Sequence, residues 1–141
     1  MIALAILAVA VVICVSLHRW VVGFVYNGLR LQASAGMRPH HHVSSVLLLL
    51  GAHIVEVIVF ALGAVLVMAT GEATVSGRPD APFVDVLYFS FNVYSSLGFG
   101  DVVPTGDLRL YAGVEVIVGL LMIAWSAAAL FGEAFLARGN D

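Results

Sequence analysis

The sequence has few charged residues and no lysine at all. Of its 141 residues, 11% are charged and 62% are hydrophobic, whereas soluble domains have about a quarter charged and about half apolar residues. All six basic residues are arginine, no basic tract occurs and the net charge is −3, which excludes nucleic-acid binding. A single cysteine, Cys14, excludes an internal disulfide and a cysteine-rich metal site. With a mean hydropathy of +1.07, the composition fits only an integral membrane protein.

Three apolar stretches are long enough to cross the bilayer, because about 20 helical residues span about 30 Å of hydrocarbon. The apolar stretch before the last of them is too short to cross, and prolines and glycines flank it, so we predict a re-entrant segment there. The predicted segments are a transmembrane helix over 1–26, a cytoplasmic loop over 27–44, an outer helix over 45–69, a re-entrant pore helix over 83–95 and an inner helix over 109–133. The sequence therefore predicts an all-α integral membrane fold.

The arginines predict how the chain is oriented, because loops rich in Arg face the cytoplasm. The loop after the first helix contains Arg30 and Arg38 and no acidic residue. The stretch 70–108 contains one arginine, Arg78, among five acidic residues. We therefore predict an extracellular N-terminus, a cytoplasmic C-terminus and a re-entrant segment that enters from outside.

The re-entrant segment contains the most informative motif. It starts as a short helix, with Asp80 as a candidate cap, and continues as Ser95-Ser96-Leu97-Gly98-Phe99-Gly100-Asp101. Glycines at positions 98 and 100 let backbone carbonyls turn to one side without a clash from Cβ. A ring of such carbonyls replaces the hydration shell of a cation. Since one strand cannot enclose a pore, several copies of the chain must assemble around an axis.

The run from Ser96 to Asp101 resembles the Thr-Val-Gly-Tyr-Gly-Asp selectivity filter of potassium channels. The resemblance covers the two-helix pore domain, residues 45–135. Pro104, Arg109 and Gly119 stand where that family has a proline after the filter, an arginine at the start of the inner helix and a hinge glycine. The chain thus resembles small bacterial members of the ion-channel family, with one extra N-terminal transmembrane helix.

The resemblance implies a homotetramer in the lipid bilayer of a bacterial inner membrane that conducts K⁺ passively. The implied conducting residues are Ser96, Leu97, Gly98, Phe99 and Gly100, of which the first four would hold K⁺, with Asp101 at the outer mouth. Potassium would be the permeant ion, and neither a cofactor nor a soluble partner is implied. Because Ser96, Leu97 and Phe99 replace Thr, Val and Tyr of the family, a non-selective cation channel stays an alternative, as does a non-conducting membrane subunit.

Enzymatic activity is not expected. An intramembrane metalloprotease would need a His-Glu-x-x-His ligand set, and no second helical histidine accompanies His53 and Glu56 at that spacing. The run His40–His42 cannot converge on one metal ion from a helix, and no carboxylate accompanies it. We expect this run to be a solvated loop.

Two acidic residues are predicted inside the membrane, where a charge is costly. His53 and Glu56 share one face of the outer helix. They are either a hydrogen-bonded pair that fixes this helix to its neighbours or a proton-sensitive gating site, with Gly119 as another gating candidate.

The other acidic residue is Glu115, near the outer end of the inner helix and at the expected level of the filter. Tyr88 and Asn92 on the pore helix are its candidate partners. We therefore predict that Glu115, Tyr88 and Asn92 support the filter.

Overall fold

The protein is a bundle of three long helices and one short helix. The computed structural model describes residues 1–34, 42–71, 73–76, 78 and 80–138. Within these ranges the chain forms helices and no β-strand. The helices are α1 (Ile2–Ser34), α2 (His42–Met68), α3 (Phe83–Tyr94) and α4 (Leu108–Arg138). The predicted all-α membrane fold with an additional N-terminal helix is confirmed.

Three of the helices contain spans that can cross a membrane. The apolar spans in α1, α2 and α4 are 27, 26 and 25 residues long, and each exceeds the roughly 20 residues that a bilayer requires. Many of their large apolar side chains lie on the outside of the bundle, where lipid or another subunit would cover them. The chain is therefore a multi-pass membrane protein.

The helix bounds correct several predicted bounds. α1 continues to Ser34, and α2 begins at His42, so much of the predicted loop over 27–44 is helical. Residues 29–34, at the end of α1, include Leu, Arg, Gln and Ala, which favour helix, and no proline. Within the predicted loop, residues 35–41, and with them His40 and His41, lie outside the described residues. α3 ends one residue before the predicted bound, and α4 continues to Arg138 rather than to residue 133.

Helix α1 packs along both α2 and α4. A stripe of buried residues spaced three or four positions apart runs along it, with Val22 buried beside the stripe, which consists of Ala3, Leu7, Ala10, Cys14, His18, Val21 and Val25. This spacing is typical of helices that pack side by side, and small residues in the stripe let the backbones approach closely. α1 therefore forms part of the bundle core and is not a separate anchor.

Helices α2 and α4 approach each other closely where Tyr111 meets Gly63. The buried Tyr111 hydroxyl donates a hydrogen bond to the Phe60 carbonyl (2.9 Å). A Cβ atom at Gly63 would lie 2.1 Å from that hydroxyl oxygen. Glycine at this position thus makes room for the tyrosine, and the tyrosine satisfies its hydroxyl inside the bundle.

The short helix α3 lies between α2 and α4 and contacts both. Its 12 residues extend about 18 Å, which is too short to cross the bilayer. The segments on either side of it are tied together, because the Ser76 N–H donates to the Val103 carbonyl (2.7 Å) and the Thr105 N–H to the Thr74 carbonyl (2.9 Å). These pairings hold the loop after α3 against the loop before it.

Candidate functional site

Helix α3 is preceded by a proline and has an acidic residue in its first turn. Pro82 occupies the cap position, so the predicted cap at Asp80 is not formed. The Pro82 carbonyl accepts hydrogen bonds from the N–H groups of Asp85 (2.9 Å) and Val86 (3.3 Å). Asp85 lies in the first turn, where the helix dipole favours a carboxylate, and it forms an exposed ion pair with Arg78.

The chain folds back onto the last turn of α3. The Ser96 N–H donates to the Val93 carbonyl (2.9 Å), and the Gly98 N–H donates to the Asn92 carbonyl (3.3 Å). These bonds satisfy carbonyls that would otherwise be unpaired at the end of the helix. They also fix the start of residues 96–101, which we call the filter segment.

Positive and negative φ angles alternate along the backbone of the filter segment. Ser96, Gly98 and Gly100 have φ angles of 58°, 54° and 78°, whereas Leu97 and Phe99 are not in the positive-φ region. Alternation of positive and negative φ turns successive peptide groups, so that their carbonyls can face one side of the chain. This is the arrangement that a row of ion-coordinating carbonyls needs.

The filter segment is uncovered in the single chain. The side chains of Leu97 and Phe99 are 62% and 67% exposed. A Cβ atom added at Gly98 or Gly100 would meet nothing within 4 Å. Glycine is therefore required at these two positions by the positive φ and not by lack of space.

Asp101 and Tyr88 form a hydrogen bond beside the end of the filter segment. The Tyr88 hydroxyl donates to Asp101 Oδ2 (2.9 Å), and this bond to a carboxylate raises the pKa of the Tyr88 phenol. The Asn92 side-chain amide donates to the Tyr88 carbonyl (2.9 Å), one turn earlier in α3. Asp101 is thereby anchored to the helix that precedes the filter segment.

Glu115 is fully buried, but it does not bond to its predicted partners. The Tyr88 hydroxyl is used by Asp101 and the Asn92 amide by its own helix. Ser90 is the side chain that interacts with the Glu115 carboxyl, at a geometry short of a full hydrogen bond. Within the described residues, both Glu115 oxygens, Ser90 Oγ and Asn92 Oδ1 are buried without a hydrogen-bond partner. The expectation of these partners is therefore wrong for the isolated chain.

His53 and Glu56 belong to a cluster to which every helix contributes. His18 Nδ1 lies 2.9 Å from Glu56 Oε1, and the Tyr94 hydroxyl donates to Glu56 Oε2. His53 Nδ1 lies 2.9 Å from the Tyr94 hydroxyl. Ser126 Oγ closes the ring, 2.9 Å from His53 Nε2 and 3.3 Å from His18 Nε2. We call these five side chains the polar cluster.

The polar cluster lacks one proton when its groups are in their ordinary states. Five hydrogen bonds need five hydrogens, whereas a carboxylate, two neutral imidazoles and two hydroxyls supply four. A buried carboxylate without compensation is costly in a membrane. In these states, one of the five contacts of the ring is therefore left without a hydrogen.

The polar cluster is linked to the start of the filter segment through Tyr94. Tyr94 is the last residue of α3 and comes two residues before Ser96. Gly119, predicted to be a hinge, lies against the same residue, since a Cβ atom there would be 2.2 Å from the Tyr94 carbonyl oxygen. Close packing of α4 against the end of α3 accounts for glycine at this position, and its role as a hinge stays a prediction.

Three residues of the polar cluster, His18, Tyr94 and Ser126, are not predicted as site residues from the sequence. A signal existed for His18, because it follows Cys14 by one turn in the buried stripe of α1. A polar residue in such a stripe needs a buried partner. No local pattern indicated that Tyr94 and Ser126 would share one pair of histidines.

Comparison with known proteins identifies the family. A family model described as "Ion channel" matches residues 52–135, more than half of the chain. No curated protein and no solved structure gives a significant match. The matched region contains α3, the filter segment and most of α2 and α4. The chain therefore belongs to the ion channel family, and the additional helix, α1, packs against the matched region.

Proposed function

We propose that four copies of this chain form a potassium-selective channel in the lipid bilayer. Carbonyls of residues 96–99 from each copy would line the ion path on the common axis, and Asp101 would lie at its outer mouth. The observation that carries the proposal is the positive φ angle at every second residue, namely Ser96, Gly98 and Gly100. These residues come immediately after a short helix that is too short to cross the membrane. K⁺ is the permeant ion in this proposal, and its conduction involves no cofactor and no soluble partner.

Assembly of several copies is supported by what the single chain leaves unfinished. Leu97 and Phe99 are exposed beside the ion path, and the Glu115 carboxyl is buried without a hydrogen bond among the described residues. Neighbouring subunits around an axis would cover such side chains and supply partners. Ion channels of this family are typically oligomers.

Selectivity for K⁺ over Na⁺ is the finer part of the proposal. Phe99 lacks the hydroxyl that tyrosine has at this position of potassium channels, so it cannot form a hydrogen bond behind the filter segment. A wider or more mobile ring would accept both ions. A non-selective cation channel is therefore the second candidate, and a non-conducting subunit is the third.

One experiment separates these candidates. The purified full chain is placed in planar bilayers with KCl on one side and NaCl on the other, and its mass is measured by native mass spectrometry. We expect a tetramer and a reversal potential close to that for K⁺. A reversal potential near zero would indicate a non-selective channel. A tetramer without current would indicate a non-conducting subunit.

We propose that the filter segment faces the outside of the cell, as the arginine distribution favours. Cys14 is fully buried and is the only cysteine. A thiol reagent should therefore label a single introduced cysteine without background labelling of the native chain. Asp107 is exposed in the loop after the filter segment. We expect Asp107→Cys to react with a membrane-impermeant maleimide in intact cells. Labelling only after cell lysis would indicate the opposite orientation, with the filter segment facing the cytoplasm.

A further inference from the structure

The polar cluster contains a set of atoms that can bind a metal ion. Donor atoms of His18, His53 and Glu56 all lie within 4.8 Å of one another. His18 Nδ1 and His53 Nδ1 are 2.9 Å and 3.3 Å from the Glu56 carboxyl oxygens. Donors of a tetrahedral zinc ion, with bonds of about 2.0–2.1 Å, lie about 3.3 Å apart. A small expansion of the cluster would therefore admit an ion at its centre.

The two histidines are oriented as ligands usually are. Both Nδ1 atoms face the Glu56 carboxyl, and both Nε2 atoms face the same hydroxyl, Ser126 Oγ. With a metal ion on both Nδ1 atoms, each imidazole carries its proton on Nε2 and donates it to Ser126. Such an outer hydrogen bond fixes the tautomer and the ring orientation of a ligating histidine.

A metal ion would also remove the need for a fifth hydrogen in the ring of hydrogen bonds. The single Ser126 hydrogen cannot serve both imidazoles if both present a lone pair at Nε2. When the ion takes the two Nδ1 lone pairs and a carboxylate oxygen, Ser126 accepts from both imidazoles and no fifth proton is needed. The Tyr94 hydroxyl, bonded to both Glu56 and His53, offers a fourth donor oxygen.

We propose that His18, His53 and Glu56 bind one divalent transition-metal ion of the Zn²⁺ class per chain, with Tyr94 as fourth donor. Two imidazoles and a carboxylate suit Zn²⁺ better than Mg²⁺ or Ca²⁺, which prefer sites made of oxygen. Bound there, the ion would join α1 to α2 and to the last residue of α3. His53 is the partly exposed ligand, with 18% of its side chain accessible, and it provides the edge from which an ion enters.

The test measures binding of Co²⁺, whose visible absorption reports a tetrahedral site. The purified full chain is used without an affinity tag, in a background where His40, His41 and His42 are replaced by glutamine. These substitutions remove the other histidines of the sequence, so that absorption reports the polar cluster alone. We expect saturation at one Co²⁺ per chain, loss of the absorption when Zn²⁺ is added, and a melting temperature that rises with Zn²⁺.

Three variants decide whether the polar cluster is the site. His18→Gln and Glu56→Gln each remove a ligand and should weaken binding about 100-fold or more. Ser126→Ala removes only the outer hydrogen bonds and should weaken it by about 10- to 100-fold. Asp107→Asn, an exposed carboxylate outside the cluster, is the control and should leave binding unchanged. Gel filtration checks that each variant assembles.

Two results would overturn the proposal. The first is absence of stoichiometric Co²⁺ uptake, which would mean that a proton completes the ring. The second is uptake that persists unchanged in His18→Gln and Glu56→Gln. If neither of these variants assembles, an unchanged Co²⁺ affinity of Ser126→Ala overturns the proposal by itself. The measurement is binding and not ion flux, so its outcome is independent of the proposed selectivity for potassium.

Discussion

The filter segment and the polar cluster are neighbours in sequence at Tyr94–Ser96, yet they are opposite kinds of structure. The filter segment has three positive φ angles and is exposed in the single chain, although Asp101 at its end bonds to Tyr88. The polar cluster is a closed ring of hydrogen bonds to which α1, α2, α3 and α4 each contribute. In the proposed channel, the polar cluster would thus be complete within one chain, whereas the ion path would need other copies of the chain.

This contrast predicts different responses to substitution in the two regions. Changes in the filter segment should abolish ion selectivity while the subunit fold persists. Changes in the polar cluster should lower the stability of the subunit first and affect conduction through the position of Tyr94. The largest effect is expected from a substitution within the filter segment itself.

Gly100→Ala should reduce K⁺ current in liposomes or bilayers by orders of magnitude. The φ angle of 78° is unfavourable for a residue with Cβ, at a cost of about 1–2 kcal/mol, and relief of that strain would rotate the carbonyls. Gly71→Ala is the matched control, because Gly71 has a φ of +84° and open space but lies outside the filter segment. Equal K⁺ currents in the two variants would contradict the assignment of the filter.

Gly119→Ala should disturb the filter through packing, with a destabilisation of about 1–3 kcal/mol. The new Cβ would lie 2.2 Å from the Tyr94 carbonyl oxygen, so the end of α3 must move. Gly113→Ala in the same helix is the control, since a Cβ there meets nothing within 4 Å. The measurements are the thermal stability of the assembled protein and the K⁺/Na⁺ permeability ratio.

The outcome at Gly119 also separates packing from a hinge. A packing role predicts lower stability and an altered permeability ratio. A hinge role predicts a changed open probability with stability and selectivity intact. Wild-type behaviour in all three measurements would contradict both roles.

Tyr94→Phe should destabilise the subunit by about 1–3 kcal/mol, because it removes the hydroxyl that hydrogen-bonds to Glu56 Oε2 and to His53 Nδ1 inside the bundle. Tyr26→Phe is the matched control, since it removes the same atom from a partly exposed tyrosine in α1. Thermal unfolding of the two variants in detergent measures the difference. If both lose the same stability, the polar cluster does not support the fold as described.

The sequence predicts the filter segment better than the polar cluster, for a physical reason. Gly98 and Gly100 indicate their own backbone conformation, because positive φ favours glycine whatever surrounds it. Apolar length likewise indicates the spanning helices, although it does not locate the end of α1, since helix continues beyond residue 26.

The polar cluster depends instead on how distant segments pack. His18 and Ser126 are 108 positions apart in the chain, and His53 and Ser126 are 73 apart. The spacing of His53 and Glu56 predicts that they share a helix face, but nothing local tells which residues the other helices place opposite them. The same limit applies to Glu115, whose predicted partners are on the correct helix but are engaged elsewhere.

The smallest predicted effect concerns Asp101, the residue at which the filter segment meets solvent. Asp101→Asn removes one negative charge per subunit from the proposed outer mouth, which lowers the local concentration of cations. We expect K⁺ current to fall severalfold at low ionic strength and to approach the wild-type value at about 1 M salt, where the Debye length is about 3 Å.

Asp107→Asn removes an equal charge on the same side of the membrane but outside the filter segment, so it should change the current less. A current that is equally reduced at all salt concentrations would instead assign Asp101 a structural role through its hydrogen bond to Tyr88, and Tyr88→Phe should then reproduce the loss.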